Sequence, residues 1–264
     1  MTEVKLLQSI GPKPRGKMKA AFTKFLFVAV MLAGTIDSAF AASDVGGVAL
    51  GMKVDEALKI LTTAQGSNGR VGKVNFTLTF DRAQNKSGSF RIYTATWHTP
   101  QTVGEMLVGI SPVTQAVWSI TKSENPQAAR PALQAIANAA AKFGKVNAGA
   151  VTSTEYIQRW MYNAKGAEVE WSNAYDKPQN GNCFASTQAA PIAGTELWFP
   201  VQPTSACSTI FWVNAKSASH DGAATSYSSV AVDIAAFRDW FQAVDSNKQK
   251  QIDQEKNSAA KPQL

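Results

Sequence analysis

The acidic pair Glu168 and Glu170 comes closer than other residues in this sequence to an acid–base arrangement. Residues two apart on a strand share one face, and paired carboxylates can exchange protons in hydrolysis. Alternating glutamates on an edge strand are, however, more typical of a solvated surface. We keep the pair as candidates for an alternative function and assign no catalytic residue.

Ser119 and Lys122 match a Ser-x-x-Lys spacing in which a serine nucleophile at a helix start has a lysine one turn later. Here the tetrad lies in a segment predicted as a strand, where residues three apart face opposite sides. The chain also lacks Lys-Thr-Gly, Ser-Asp-Asn, Gly-x-Ser-x-Gly and His-Glu-x-x-His motifs and a phosphate-binding loop. We therefore interpret the match as incidental.

Metal-binding patterns are equally weak. His98 and His220 lie far apart and are predicted as exposed turn residues. A polar loop supplies oxygen ligands at Asp176, Asn180 and Asn182, but their spacing does not match a calcium loop. The sequence predicts no metal and no cofactor.

The two cysteines, Cys183 and Cys207, are predicted to form a disulfide. This prediction depends on export, because disulfides persist outside the cytoplasm. A loop of this length would stabilise the fold by about 3 kcal/mol in the chain-entropy model. Free thiols remain the alternative, since no Cys-x-x-Cys motif or histidine at ligand-like spacing suggests redox or metal chemistry.

Residues 18–41 have the three parts of a secretory signal peptide. Lys19 and Lys24 precede an apolar run over 25–36, which is too short to span a membrane. Cleavage is predicted between Ala41 and Ala42, and the start is interpreted as Met18 rather than Met1. Thr35 stands where a lipoprotein would have its cysteine, so we expect a periplasmic or secreted protein without a stable membrane anchor.

Cleavage of the signal peptide would lower the net charge of the protein. The whole chain has 26 Lys and Arg against 19 Asp and Glu, a net charge of +7. The segment 1–41 carries six of the basic and two of the acidic residues, which leaves 20 against 17 in the mature chain. No mature segment forms a basic patch, so the sequence indicates no nucleic-acid partner.

Hydrophobic periodicity predicts an α+β protein with helices packed on antiparallel sheet. Helices are expected over 54–64, where Val54, Ala57, Leu58 and Leu61 share one apolar face, and over 131–143 and 234–249, the last with Asp233 as N-cap. Runs of strands fall between them, and those of the first run are expected over 74–80, 90–97, 105–110 and 116–121. The organisation is a signal peptide (1–41), an N-terminal half (42–146), a C-terminal half (147–250) that contains the cysteines, and a polar tail (251–264). Whether the two halves are weakly related repeats is left open, because residue identity between them is too poor to establish it.

All seven tryptophans lie in the mature chain, and Trp118, Trp160 and Trp240 are predicted to be core residues. Trp198 precedes Phe199 and Pro200 near the cysteine loops. It is the candidate for an exposed binding surface.

The segment 47–52 (Gly-Val-Ala-Leu-Gly-Met), followed by Glu56 and Ala57, resembles the opening of a family of uncharacterised bacterial periplasmic proteins. It is also similar, distantly, to modules of the type of β-lactamase inhibitory protein and of the small lipoprotein of the barrel-assembly machinery. Later blocks at 108–112, 117–120, 142–144 and 159–162 look similar to that family. The resemblance implies helices on an antiparallel sheet and a binding role.

Three hypotheses follow. The first is an exported, non-enzymatic binding or protein-interaction module, with another envelope protein as candidate partner. The alternative is an envelope hydrolase that uses Glu168 or Glu170. A structural envelope component without a small ligand is the third.

Overall fold

The computed structural model describes residues 44–63, 71–81, 86–144, 148–169, 187–192, 195–200, 205–218 and 220–258. The strands in this part of the chain are β1 (Asp44–Val45), β2 (Val48–Ala49), β3 (Gly72–Asp81), β4 (Lys86–His98), β5 (Thr102–Ile110), β6 (Val117–Pro126), β7 (Ala148–Val151), β8 (Glu155–Tyr162), β9 (Thr187–Ile192), β10 (Thr195–Pro200), β11 (Thr209–Lys216) and β12 (Ser226–Asp233). The helices are α1 (Val54–Thr63), α2 (Leu133–Ala140), which continues into a 3₁₀ turn (Ala141–Phe143), and α3 (Ile234–Ser258).

Eight of these strands form one antiparallel sheet in the order β3-β4-β5-β6-β12-β11-β8-β7. Together with the helices, this confirms the predicted α+β class. β1 pairs with β2 and β9 with β10 in two separate hairpins.

The two predicted halves contribute to this one sheet. The N-terminal half contributes β3 to β6, and the C-terminal half contributes β7, β8, β11 and β12; in each half the first of these strands lies at an edge of the sheet and the last lies at its centre. The halves meet where β6 pairs with β12, with Ile120 opposite Ala231. The boundary predicted between residues 146 and 147 therefore falls between strands of a shared sheet.

Neighbouring residues along the strands alternate between two hydrophobic cores. Val108 and Phe211 belong to the first core, whereas the preceding residues, Leu107 and Ile210, belong to the second. Since side chains alternate across a strand, the two cores lie on opposite faces of the sheet.

The first core lies beneath α1, α2 and the β1–β2 hairpin. The apolar face predicted for α1 is confirmed, because Ala57 and Leu61 are buried and Val54 and Leu58 pack partly against the same core. The face of α2 is formed by three buried residues: Leu133, Ile136 and Ala140.

The second core lies beneath α3. Phe237 stacks on Trp118 with ring centroids 3.9 Å apart, and Trp240 packs edge-on against the same indole at 5.3 Å. Trp118 occupies a β-bulge, because Gly109 pairs with Ser119 while the next residue, Ile110, pairs with Val117. Trp118, Trp160 and Trp240 are all buried, as predicted.

Two segments are longer than the sequence predicts. α3 continues to Ser258, well into the expected polar tail, and Gln249 donates a 2.9 Å hydrogen bond to Asp253 one turn later. β6 continues to Pro126 instead of ending near Thr121. Its last residues are polar and break the alternating pattern, but they pair with β5 on one side and, as far as Glu124, with β12 on the other.

Candidate functional site

A groove with a volume of about 450 Å³ lies between α2 and the turn that joins β1 to β2. Its floor is the first-core face of three adjacent strands, β6, β12 and β11. It is bounded by apolar residues such as Val45, Ile136 and Val213 and holds four charged side chains. This size and composition are typical of small-ligand sites.

Glu124 is the central polar residue of the floor and is only 7% exposed. The Nζ of Lys122 lies 2.8 Å from its Oε2, and the Tyr227 hydroxyl donates a 2.6 Å hydrogen bond to the same oxygen. Lys122 and Glu124 are two residues apart on β6 and therefore share a face. Tyr227 is directly opposite Glu124 on β12.

Burial raises the pKa of the Tyr227 phenol far above its usual value, and its hydrogen bond to the Glu124 carboxylate raises it further. Tyr227 therefore keeps its proton over the ordinary pH range and acts as a permanent donor to Glu124. A phenol held in this way serves to position a carboxylate, because it gives up its proton only in strong alkali.

Lys122 is held from two other directions. Its ammonium lies 5.8 Å from the centroid of the Trp97 ring, close enough for a cation–π interaction. The β1–β2 turn passes close to the Lys122 side chain at Gly46, which has φ +62°. A Cβ at Gly46 would lie 3.2 Å from the Cδ of Lys122, so glycine permits both the backbone conformation and the close approach.

A second ion pair bridges the two walls at the rim. The Nζ of Lys142, in the 3₁₀ turn after α2, donates to the main-chain oxygen of Asp44 at 2.8 Å and lies 3.2 Å from its Oδ1. The Lys142 and Asp44 side chains are 39% and 43% exposed. Exposed pairs of this kind contribute at most about 1 kcal/mol, so a ligand can open this bridge at low cost.

The helix wall of the groove consists largely of small side chains. Ala135, Ala139 and Ala140 of α2 face the space that larger residues would fill. Ala135 and Ala139 remain exposed, because nothing in the described part of the chain packs over them. The alanine spacing on α2 therefore creates the room for a ligand.

The residues singled out from the sequence do not converge on this groove, except for Lys122. Glu168 is exposed and pairs with Tyr162 through an isolated bridge, while Glu170 lies outside the described residues. His98 and His220 are exposed as predicted, and the Nδ1 of His220 lies 3.0 Å from the hydroxyl of Ser153. The Ser-x-x-Lys tetrad lies on β6, also as predicted.

The disulfide and the signal peptide stay predictions. Cys207 is buried in the second core, but Cys183 lies outside the described residues. Ala41, Ala42, Asp176, Asn180 and Asn182 also lie outside them. Trp198 pairs with Ala189 in the β9–β10 hairpin, and its side chain is not among the described ones.

Four polar residues of the groove carry no catalytic or binding motif in the sequence: Glu124, Tyr227, Lys142 and Asp44. A signal for Glu124 existed: it follows Lys122 by two residues, in a segment flanked by strongly apolar strand residues. Two opposite charges on one face of a central strand indicate a buried ion pair, since isolated charges are costly there.

No family model, curated protein or solved structure matches this chain. None of the helices in the described part combines the length and apolar character that crossing a bilayer requires. Within the same residues, no three His, Cys, Asp or Glu side chains are grouped so that they could hold a metal ion.

Proposed function

We propose that this chain is an exported, non-enzymatic binding protein and that the groove between α2 and the β1–β2 turn is its ligand site. The observation that carries the proposal is the combination of apolar walls with a buried, internally paired polar floor. Such a site buries an apolar ligand and fixes its polar end at a few placed groups.

The polar groups of the floor support binding more than catalysis. Glu124 is bound by Lys122 and Tyr227, and the raised pKa of Tyr227 makes it a poor proton donor in a reaction near neutral pH. A general acid or base works best when its pKa lies near the working pH. The arrangement is suited to orienting a ligand through hydrogen bonds.

Export is supported by the signal pattern in residues 18–41. Cleavage after Ala41 would keep Asp44, and with it the groove rim, in the mature protein. Amino-terminal sequencing of the protein isolated from the periplasm or medium checks this step. The proposal expects Ala42 as the first residue, and an intact 18–41 segment in a membrane fraction would contradict it.

Ligand binding is tested with the neutral apolar dye N-phenyl-1-naphthylamine, whose fluorescence rises when it enters an apolar site. Ala139→Trp places a large side chain in the groove from an exposed helix position. Asn138→Trp, the neighbouring exposed residue outside the groove lining, is the matched control. We expect dye fluorescence with the wild type and with Asn138→Trp, and its loss with Ala139→Trp.

Two results would overturn this proposal. One is the absence of a fluorescence increase with correctly folded wild-type protein. The other is equal binding by both tryptophan variants, which would place the dye elsewhere.

A further inference from the structure

We infer that the groove selects an uncharged ligand with an amide group at its head and an apolar body. This inference rests on the proposed function and names the ligand chemistry of the same site.

The floor of the groove places a hydrogen-bond donor beside an acceptor. Lys122 and Tyr227 both bind Oε2 of Glu124, and Oε1 receives no hydrogen bond from the described residues. A carboxylate oxygen has more than one acceptor site, and an ammonium has three donors. The Glu124–Lys122 pair, at 2.8 Å, therefore presents an acceptor beside a donor to the groove.

An amide is the small neutral group that matches this pair at two points. Its N–H can donate to Oε1 of Glu124 while its carbonyl oxygen accepts from Nζ of Lys122. Hydrogen bonds to charged partners are stronger than those between neutral groups, so the match gives both orientation and affinity. The Tyr227 hydroxyl is engaged with Oε2 and holds the carboxylate in place.

The charged side chains of the groove favour a neutral ligand. The groove lining contains two cations, Lys122 and Lys142, and two anions, Glu124 and Asp44. Their formal charges cancel. An ionic ligand obtains a counterion only by separating one of these ion pairs and leaving its other member without a partner, whereas a neutral amide leaves both pairs intact.

The volume and walls of the groove suit an apolar body. A groove of about 450 Å³ accommodates a ligand of drug-fragment size, and its walls are aliphatic at Val45, Ile136 and Val213. An alkyl chain or the side chains of a short apolar peptide would bury surface there. An amide can come from a small amphiphile or from the backbone of an envelope protein, and the chemistry of recognition is the same.

The test uses three ligands with a common alkyl body: octanamide, octanoate and octylamine. Each is titrated into the mature protein, and displacement of N-phenyl-1-naphthylamine is measured. We expect octanamide to bind at least about tenfold more tightly than either ion, since losing one charge-assisted hydrogen bond costs about this factor. A capped apolar tetrapeptide is titrated in the same assay. If it binds more tightly than octanamide, the natural source of the amide is a protein backbone. Preference for octanamide identifies a small amphiphile.

Charge-switch variants provide the decisive comparison. Glu124→Gln leaves a net positive groove and should shift preference toward octanoate, whereas Lys122→Met leaves a net negative groove and should shift it toward octylamine. Glu168→Gln and Lys165→Met, both exposed and outside the groove lining, are the controls and should keep the wild-type ranking. Should Glu124→Gln not fold, Asp44→Asn changes the rim charge at an exposed site and should shift the ranking in the same direction.

The outcomes separate the two proposals. Wild-type protein that binds the dye but prefers an ion, or variants that leave the ranking unchanged, would overturn the amide inference and leave the binding function standing. If neither the dye nor any of the octyl ligands binds the folded protein, both the amide inference and the proposed binding function are wrong.

Discussion

Tyr227 and Glu124 are direct cross-strand partners at the centre of the sheet, joined by a 2.6 Å hydrogen bond from the phenol to Oε2. They are separated by 103 residues and come from the two halves of the chain. This hydrogen bond therefore connects the two halves of the chain at the floor of the groove. Its removal should affect both stability and binding.

Tyr227→Phe removes the hydroxyl and leaves the ring. We expect the free energy of unfolding to fall by about 1.5–3 kcal/mol, because a hydrogen bond to a buried charged group is lost. Urea unfolding at neutral pH measures the change. Thr96→Ala, at an exposed position of β4, is the control and should change stability by less than about 0.5 kcal/mol. An unchanged midpoint for Tyr227→Phe would contradict the importance of this bond.

Stability should decrease in alkali. Burial raises the pKa of Tyr156 from 10.0 to about 12 and also raises those of Tyr162 and Tyr227. Above pH 10 the unfolded chain releases these protons while the folded chain still holds them, so the free energy of unfolding falls as pH rises. Their stabilising contribution is complete below pH 10 and disappears as the pH passes the folded-state values.

Urea titrations between pH 8 and pH 11.5 measure how the free energy of unfolding changes with pH. Tyr227→Phe should show a shallower decline above pH 10, because one of the three shifted groups is gone. A free energy of unfolding that rises across this range would contradict the assignment.

Phe237→Ala should be among the most destabilising single changes in α3. The ring is fully buried and stacks on Trp118 at 3.9 Å, so its loss leaves a cavity between the helix and the sheet. We expect a loss of about 3–5 kcal/mol, measured by thermal or urea unfolding. Phe241→Ala, on the same helix but only half-buried, should cost less than half as much. Equal losses of stability in the two variants would show that α3 is not held to the sheet mainly by the stacking of Phe237 on Trp118.

Asp233 is confirmed as the N-cap of α3, since its Oδ1 accepts a 2.9 Å hydrogen bond from the main-chain N–H of Ala236. Burial raises the pKa of the Asp233 carboxyl, whereas hydrogen bonds from the main-chain N–H groups of Ala236 and Ala235 lower it. Burial is the larger effect, so it disfavours the ionised form of Asp233. Asp233→Ala should cost about 0.5–2 kcal/mol, whereas Asp233→Asn keeps a cap without the charge and should lose little. Urea unfolding at pH 7 compares them, and an equal loss in both variants would contradict the capping role.

The predicted disulfide has a chemical test. Protein isolated from the periplasm, denatured without reductant and treated with a maleimide should carry no label, and it should carry two labels after reduction. Reduction should also lower the free energy of unfolding by about 3 kcal/mol in the chain-entropy model. Two reactive thiols before reduction would disprove the bond between Cys183 and Cys207.

The local pattern of the sequence determined most elements of this fold. The spacing of Val54, Ala57, Leu58 and Leu61 predicts α1 and its buried face, and the structure confirms both. Asp233 also marks the start of α3, because a helix cap depends on residues within one turn of it. Periodicity and capping are short-range effects, so they can be read from adjacent residues.

Only the tertiary structure decided which strands meet. Nothing near Glu124 in sequence specifies Tyr227 as its partner, because strand pairing depends on burying both faces of the whole sheet at once. The same long-range packing extends β6 through its polar end, buries Trp118 in the second core at a bulge and sets α2 beside the β1–β2 turn. The sequence by itself therefore determined most of the helices and strands and the burial of Trp118, Trp160 and Trp240. The groove and its paired charges exist because β6 and β12 become neighbours in the folded sheet.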